Sequence, residues 1–165
     1  MNKKQRILRC FWIILTVAWM AVIFGFSSDT ADESSNLSLN VGKMICSIFV
    51  PKYEQMEPEE QECMAQDIEY PVRKGAHATE YMILGFLLSM SAGSPAERKK
   101  ILRNMLWCAA IALIYAVSDE LHQLWSPGRS CQMKDMLIDF GGAVAGIAAV
   151  NSIRLRLHRR KIQTA

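Results

Sequence analysis

Acidic residues are almost absent from three short segments of the chain, and this absence is the most informative feature of the sequence. Residues 1–9, 94–103 and 154–165 together hold thirteen of the 19 Lys and Arg residues but a single acid, Glu97. A second absence is that of polar side chains from residues 11–26, where Thr16 stands alone. A helix of a soluble bundle needs a polar stripe along its whole length, so this run argues against a soluble protein.

Four apolar segments have the length needed to cross ~30 Å of hydrocarbon, roughly 17–25 residues each. They are residues 10–26, 76–93, 104–121 and 136–153. A cleaved signal peptide fits the first segment less well, because no small-x-small cleavage site is clear. With 165 residues there is room for one domain. We therefore predict an all-α fold, a four-helix transmembrane bundle formed by a single domain over 1–165.

The distribution of basic residues predicts the orientation of this bundle. Positive charge in short loops marks the cytoplasmic side of a multi-pass protein of the cell membrane. Both termini, including the basic tail 154–165, should therefore be cytoplasmic, and residues 27–72 and 122–135 should lie outside. A basic segment directly after a span is more typical of contact with membrane lipids than with nucleic acid, so we predict no nucleic-acid partner.

The extracytoplasmic insert, 27–72, carries apolar residues at helical spacing, namely Leu37, Val41, Met44, Ile45, Ile48 and Phe49. This pattern predicts an amphipathic helix that lies on the outer membrane surface or caps the bundle, and that ends at Pro51. Pro58, followed by two glutamates, is typical of a helix start, although a solvated acidic loop is an equal alternative. Pro71 is then expected to begin the second span.

The five cysteines fit no metal motif, because neither a CxxC pair nor a His/Cys ligand spacing occurs. We predict no metal and no cofactor. Cys46 and Cys63 both fall in the insert, where a disulfide between them is one of two alternatives, free thiols being the other.

Unusual polar residues cluster near the predicted outer ends of three spans. Around the start of the second span stand Arg73, Lys74, His77, Glu80 and Tyr81, and at the end of the third stand Asp119, Glu120, His122 and Gln123. The predicted turn 126–129 contributes Arg129, and the fourth span contributes Asp135 and Asp139. Gly142 and Gly146 form a GxxxG pattern that lets another helix approach closely.

Ionisable residues at membrane depth usually face the bundle interior and pair with one another. One interpretation is a network of salt bridges that only holds the helices together, although such pairs are weak stabilisers. The other is a functional site. Arg73, Lys74 and Arg129, with Gln123 and Tyr81, suit an anionic ligand. The candidate catalytic groups for moving protons are His77, His122, Asp119 and Glu120, and the supporting polar network comprises Glu80, Asp135, Asp139, Ser27 and Ser28.

At these residues the chain resembles the VanZ-like family of small bacterial membrane proteins. The shared pattern is Phe-Ser-Ser at 26–28, an Arg/Lys, His, Tyr, Leu series at 73–84, Asp-Glu-x-His-Gln at 119–123, Pro-Gly-Arg at 127–129, and an Asp-rich, Gly-containing last span at 135–146. The family's first motif often continues with Gln, where this chain has Asp29, and the insert is the least similar part. The resemblance implies a role in the cell envelope and, by the family's name, a contribution to resistance to glycopeptides of the teicoplanin type.

Three functions remain open at the level of sequence. The first is binding or modification of an anionic envelope lipid or peptidoglycan precursor at the outer face. The second is a non-catalytic membrane protein that acts through partners, with purely structural polar residues. The third is a small transporter, which is disfavoured by the apolar inner halves of the spans, such as residues 13–15 and 87–88.

Overall fold

The computed structural model describes residues 2–95 and 97–163, with side chains described up to position 159. Within this part of the chain the fold is entirely helical. Five α-helices follow one another: α1 (Lys3–Ser27), α2 (Ala31–Phe49), α3 (Pro58–Ser91), α4 (Arg98–Gln123) and α5 (Met133–Gln163). A single 3-10 turn, Tyr53–Gln55, separates α2 from α3.

Three of these helices are long and apolar enough to cross a membrane: α1, α4 and residues 133–159 of α5. They coincide with the first, third and fourth predicted spans. The second predicted span, 76–93, falls in the C-terminal half of α3, which is not among the three. His77, Glu80 and Ser89 make this half less apolar, and Ser89 is fully buried inside the bundle.

The helix α3 is the centre of the molecule, because it contacts each of the other four helices. Its most extensive contact is with α5, and it meets α2 over its N-terminal half. Tyr81, Leu84 and Leu88 of α3 belong to the main core cluster together with Ala112 and Ala143. Of the four predicted spans, the least apolar one therefore lies in the helix that contacts all the others.

Close approach of α3 and α5 depends on glycine. A Cβ added at Gly142 would lie 2.2 Å from the carbonyl oxygen of Ala78, and one at Gly146 would lie 2.0 Å from that of Met82. The prediction that the GxxxG pattern admits a neighbouring helix is therefore confirmed. A third glycine, Gly85, plays the same part from the α3 side, where a Cβ would lie 2.1 Å from the Ala143 carbonyl oxygen.

The start of α3 at Pro58 confirms the helix start expected there, and the alternative of an acidic loop over 58–69 is wrong. The expectation that Pro71 begins the second span is also wrong, because α3 runs through this proline without a break. Proline removes one helical hydrogen bond. Packing on both sides keeps the helix intact: Ser35 of α2 donates to the Glu69 carboxylate, and Lys74 pairs with Asp135 of α5.

The helix predicted within residues 27–72 is present as α2, which begins with a capping box between Thr30 and Glu33 and ends before Pro51, while its predicted place at the outer membrane surface or as a cap on the bundle stays a prediction. It packs antiparallel to α3 through its small residues, Ser38, Gly42 and Cys46, which are buried. The apolar stripe points away from α3, so that Leu37 is 53% exposed and Phe49 77% exposed. All five cysteines, including Cys46 and Cys63, are free.

The basic segments meet at one end of the bundle, which we call the basic end. Arg9 of α1 donates to the carbonyl oxygen of Ser91, and Asn104 of α4 donates to that of Ala92. Arg154 of α5 donates to the carbonyl oxygen of Ser89 at 2.8 Å. The start of α1, the end of α3, the start of α4 and the C-terminal part of α5 are thereby gathered together.

Candidate functional site

The opposite end, which we call the cavity end, is organised by the segment between α4 and α5. The predicted turn is confirmed, since the amide of Arg129 donates to the carbonyl oxygen of Ser126 and Gly128 adopts a φ of 76°. The Ser126 hydroxyl donates to the carbonyl oxygen of Ser27, and the amide of Ala31 donates to that of Pro127. The turn is therefore fastened to the junction of α1 and α2.

A polar cavity of about 290 Å³ lies beside this turn, between the first turn of α2, the middle of α3 and the start of α5. Its lining comprises Ala31, Ser34, Tyr70, Arg73, Lys74, His77, Gln123, Gly128, Arg129, Ser130, Gln132 and Asp135. Six of these are site residues that the sequence singled out, and four separate helices or turns bring them together. We call this space the polar cavity.

Permanent cations outnumber carboxylates among the residues that line the polar cavity. Three permanent cations, Arg73, Lys74 and Arg129, line it together with one carboxylate, Asp135. Lys74 is neutralised by Asp135 at 2.6 Å, and its ammonium also lies 5.2 Å from the ring centroid of Tyr70. The two guanidinium groups consequently remain as excess charge over the lining residues.

Neither arginine is fully engaged by its neighbours. The Nε of Arg73 lies 3.4 Å from the Glu69 carboxylate, too loosely for a good hydrogen bond. Arg129 donates to the carbonyl oxygen of Phe26 at 3.3 Å. Burial lowers the pKa of Arg129 and nearby Asp29 opposes that effect, yet a guanidinium stays charged at neutral pH. Both side chains can therefore donate to an anion.

The two histidines occupy different surroundings. His77 lines the polar cavity, and its Nδ1 lies 3.6 Å from Oδ1 of the fully buried Asp139. His122 instead stacks on Phe24 of α1 with ring centroids 4.1 Å apart, and its Nε2 lies 3.0 Å from the Ser28 hydroxyl. Only His77 is thus placed to meet a ligand in the cavity.

A layer of buried polar side chains lies next to the polar cavity. Its members, which we call the buried polar layer, are Tyr81, Asp119, Glu120, Gln123 and Asp139. Both carboxylate oxygens of Asp119 and of Asp139, the Tyr81 hydroxyl and the Gln123 amide nitrogen have no hydrogen-bond partner among the described residues. Glu120 is partly satisfied, because its Oε2 accepts from the Gln132 amide at 2.8 Å.

Buried polar atoms without partners cost about 1–3 kcal/mol each, so a purely structural network would be expected to satisfy them.

The remaining supporting residues flank the buried polar layer. Ser27 is buried beside Asp119, and Glu80 follows His77 by one helical turn. No group of three or more His, Cys, Asp or Glu side chains in the described ranges is arranged to hold a metal ion.

Sequence reasoning missed four polar residues of the lining: Ser34, Tyr70, Ser130 and Gln132. Tyr70 and Lys74 are four residues apart on α3, a spacing that places them on one face. The signal for Ser130 and Gln132 was their position directly after the Pro-Gly-Arg turn. Ser34 carried no such signal, because only the packing of α2 brings it to the site.

Comparison with known families gives one match. The family model described as VanZ/LLP1 matches residues 12–154, which includes every residue of the polar cavity and of the buried polar layer. No curated protein and no solved structure matches the chain.

Proposed function

The chain belongs to the VanZ/LLP1 family, and from this membership and the geometry above we propose that it binds or modifies an anionic lipid or cell-wall precursor of the bacterial envelope. The ligand's phosphate or carboxylate group would occupy the polar cavity. The observation that carries the proposal is the unbalanced charge of the lining, in which Arg73 and Arg129 both keep free donors. Planar guanidinium groups match such anions in geometry as well as in charge.

The proposal includes the topology of the protein. The C-terminal half of α3 would be a transmembrane span in addition to α1, α4 and α5, the second of four along the chain, and these three helices would shield its polar side chains from lipid. Both termini would be cytoplasmic and the polar cavity would face outward, because the basic end gathers the positively charged segments. A contribution to glycopeptide resistance would follow if the bound ligand is the cell-wall precursor on which such antibiotics act.

The orientation can be tested with Cys63, an exposed thiol on α3 beyond the polar cavity. We expect a membrane-impermeant maleimide to label it in intact spheroplasts, and mass spectrometry to find no labelled peptide for this position in Cys63→Ser. The variant serves as the control for the other four cysteines. Labelling that requires lysis would contradict the proposed orientation.

The ligand class can be tested with protein reconstituted into phosphatidylcholine nanodiscs that contain a minor fraction of phosphatidylglycerol or of a polyprenyl phosphate. Native mass spectrometry would report which lipid stays bound. We expect the wild type to retain the anionic lipid, and Arg73→Gln/Arg129→Gln to retain at least about tenfold less, since a charge-assisted hydrogen bond contributes about 1.5–3 kcal/mol.

A matched control removes two other positive charges from the same side of the molecule. Lys52 and Lys134 are exposed and do not line the polar cavity. Lys52→Gln/Lys134→Gln should retain the lipid as the wild type does. If both double variants retain as much anionic lipid as the wild type, the polar cavity is ruled out as the anion site. If both lose the lipid to the same extent, the effect is one of general surface charge.

A further inference from the structure

A second and larger depression lies between α1, α2 and α3, with a volume of about 810 Å³. Its walls are mainly apolar and include Trp19 and Phe26 of α1, Leu37 and Val41 of α2, and Ile68 and Ile83 of α3. The polar residues of the lining are Ser38, Thr79 and Glu80. We call it the apolar groove. The indole nitrogen of Trp19 donates a hydrogen bond to the carbonyl oxygen of Glu80, so the apolar part of the ring lines the groove.

The apolar groove is long and follows α3. Its lining on this helix extends from Ile68 to Ile83, a separation that corresponds to about 22 Å at 1.5 Å per residue. Trp19 and Ile83 belong to the apolar halves of their helices, whereas Ile68 lies in the part of α3 that packs against α2. The groove therefore runs from the apolar outer surface of the bundle to the antiparallel pair formed by α2 and the N-terminal half of α3.

The orientation of α2 keeps this groove apolar. Its small residues face α3, and its larger ones, Leu37 and Val41, stand at the groove wall with 53% and 37% of their surfaces exposed. Leaving such a surface to water costs roughly 25 cal/mol for each Å². Phe26 of α1, itself 44% exposed, continues the same wall toward the lipid-facing surface of the bundle.

We propose that the apolar groove binds one hydrocarbon chain of a bilayer lipid. The argument combines its length, its apolar walls and its continuity with the surface of a membrane-spanning helix. The site is separate from the polar cavity, because the two use different faces of α3. Tyr70, Lys74 and His77 line the cavity, while Pro71, Gly75 and Thr79 line the groove, about half a helical turn away.

Gly75 offers a way to fill the groove without disturbing the fold. A Cβ at this position meets nothing within 4 Å, and the residue lines the groove. Gly141 of α5 is an exposed glycine that is equally free of neighbours but does not line the groove. The substitutions Gly75→Phe and Gly141→Phe therefore form a matched pair.

The test uses phosphatidylcholine with a photoactivatable diazirine in its acyl chain, reconstituted with the full-length protein, and maps the cross-linked peptides by mass spectrometry. We expect groove peptides of wild type to be labelled several-fold more strongly than the lipid-facing surface around Ile114 of α4. Gly75→Phe should lose most of this excess, and so should Thr79→Trp, a second groove-filling variant. Gly141→Phe should keep it.

Because phosphatidylcholine is zwitterionic, this experiment does not depend on the anion site. The excess should also persist in Arg73→Gln/Arg129→Gln, so failure of the polar cavity and failure of the groove are distinguishable. Groove labelling no stronger than that around Ile114, or unchanged in both groove-filling variants, would overturn the proposal. Protein–protein cross-links between two copies at the groove would also overturn it, in favour of a dimer contact.

Discussion

The two ends of the bundle bury polar side chains in contrasting ways. At the basic end, the side-chain amide of Asn151 donates to the Ser89 hydroxyl and to the Ile147 carbonyl oxygen. Arg154 donates to the Asn151 amide oxygen and to the Ser89 carbonyl oxygen. At the cavity end, the carboxylates of Asp119 and Asp139 are equally buried but have no hydrogen-bond partner among the described residues.

We interpret this difference as structural polarity at the basic end and, in line with the proposed anion site, functional polarity at the cavity end. A network whose members are all satisfied rigidifies a fold, whereas buried polar groups without partners are costly to keep. The basic end then fixes how α3 and α5 meet, and the cavity end keeps polar groups available. The contrast predicts opposite stability effects for substitutions at the two ends.

The largest expected effect is at the basic end. Asn151→Ala removes two donated hydrogen bonds and one accepted from Arg154, so we expect a loss of about 1–3 kcal/mol in the free energy of unfolding. Equilibrium unfolding in mixed detergent micelles would measure it. Ser152→Ala is the control, because this neighbouring serine is exposed and bonds only within its own helix. Equal stability of the two variants would break the comparison.

A smaller effect of the opposite sign is expected at the cavity end. Asp119→Asn replaces a buried carboxylate that lacks partners by a neutral side chain of the same size, so we expect the free energy of unfolding to stay equal or to rise by up to about 1 kcal/mol. The same unfolding assay applies. A loss comparable to that of Asn151→Ala would show that Asp119 is part of a structural network.

Sequence periodicity located the cavity end but could not supply its details. Arg73, His77, Asp119 and Asp139 were recognisable because charge at membrane depth is unusual in any helix. Periodicity identifies the faces of a helix but not the neighbour that each face meets. For this reason the contact of His122 with Phe24 had no signal in the sequence.

The same limit applies to the insert. The apolar stripe of α2 was visible, yet the helix turns its small residues, such as Gly42, toward α3 instead. Pro71 is expected from the sequence to begin the second span, because proline is tolerated in the first turn of a helix and disfavoured inside one. Packing of α2 and α5 on either side of it outweighs that preference, and such long-range contacts are not encoded in a local pattern.

The last two effects concern single histidines, and they test whether the contrast extends to individual residues within the cavity end. His122→Ala loses its stacking on Phe24 and its contact with Ser28, so we expect a loss of about 0.5–1.5 kcal/mol in stability with unchanged retention of anionic lipid. His77→Ala should change stability little and lower lipid retention, because His77 lines the polar cavity and faces only a loosely placed Asp139. Unfolding and native mass spectrometry on the same two preparations would measure both quantities. The reverse assignment, with retention lost in His122→Ala alone, would move the anion site to the contact between α1 and α4.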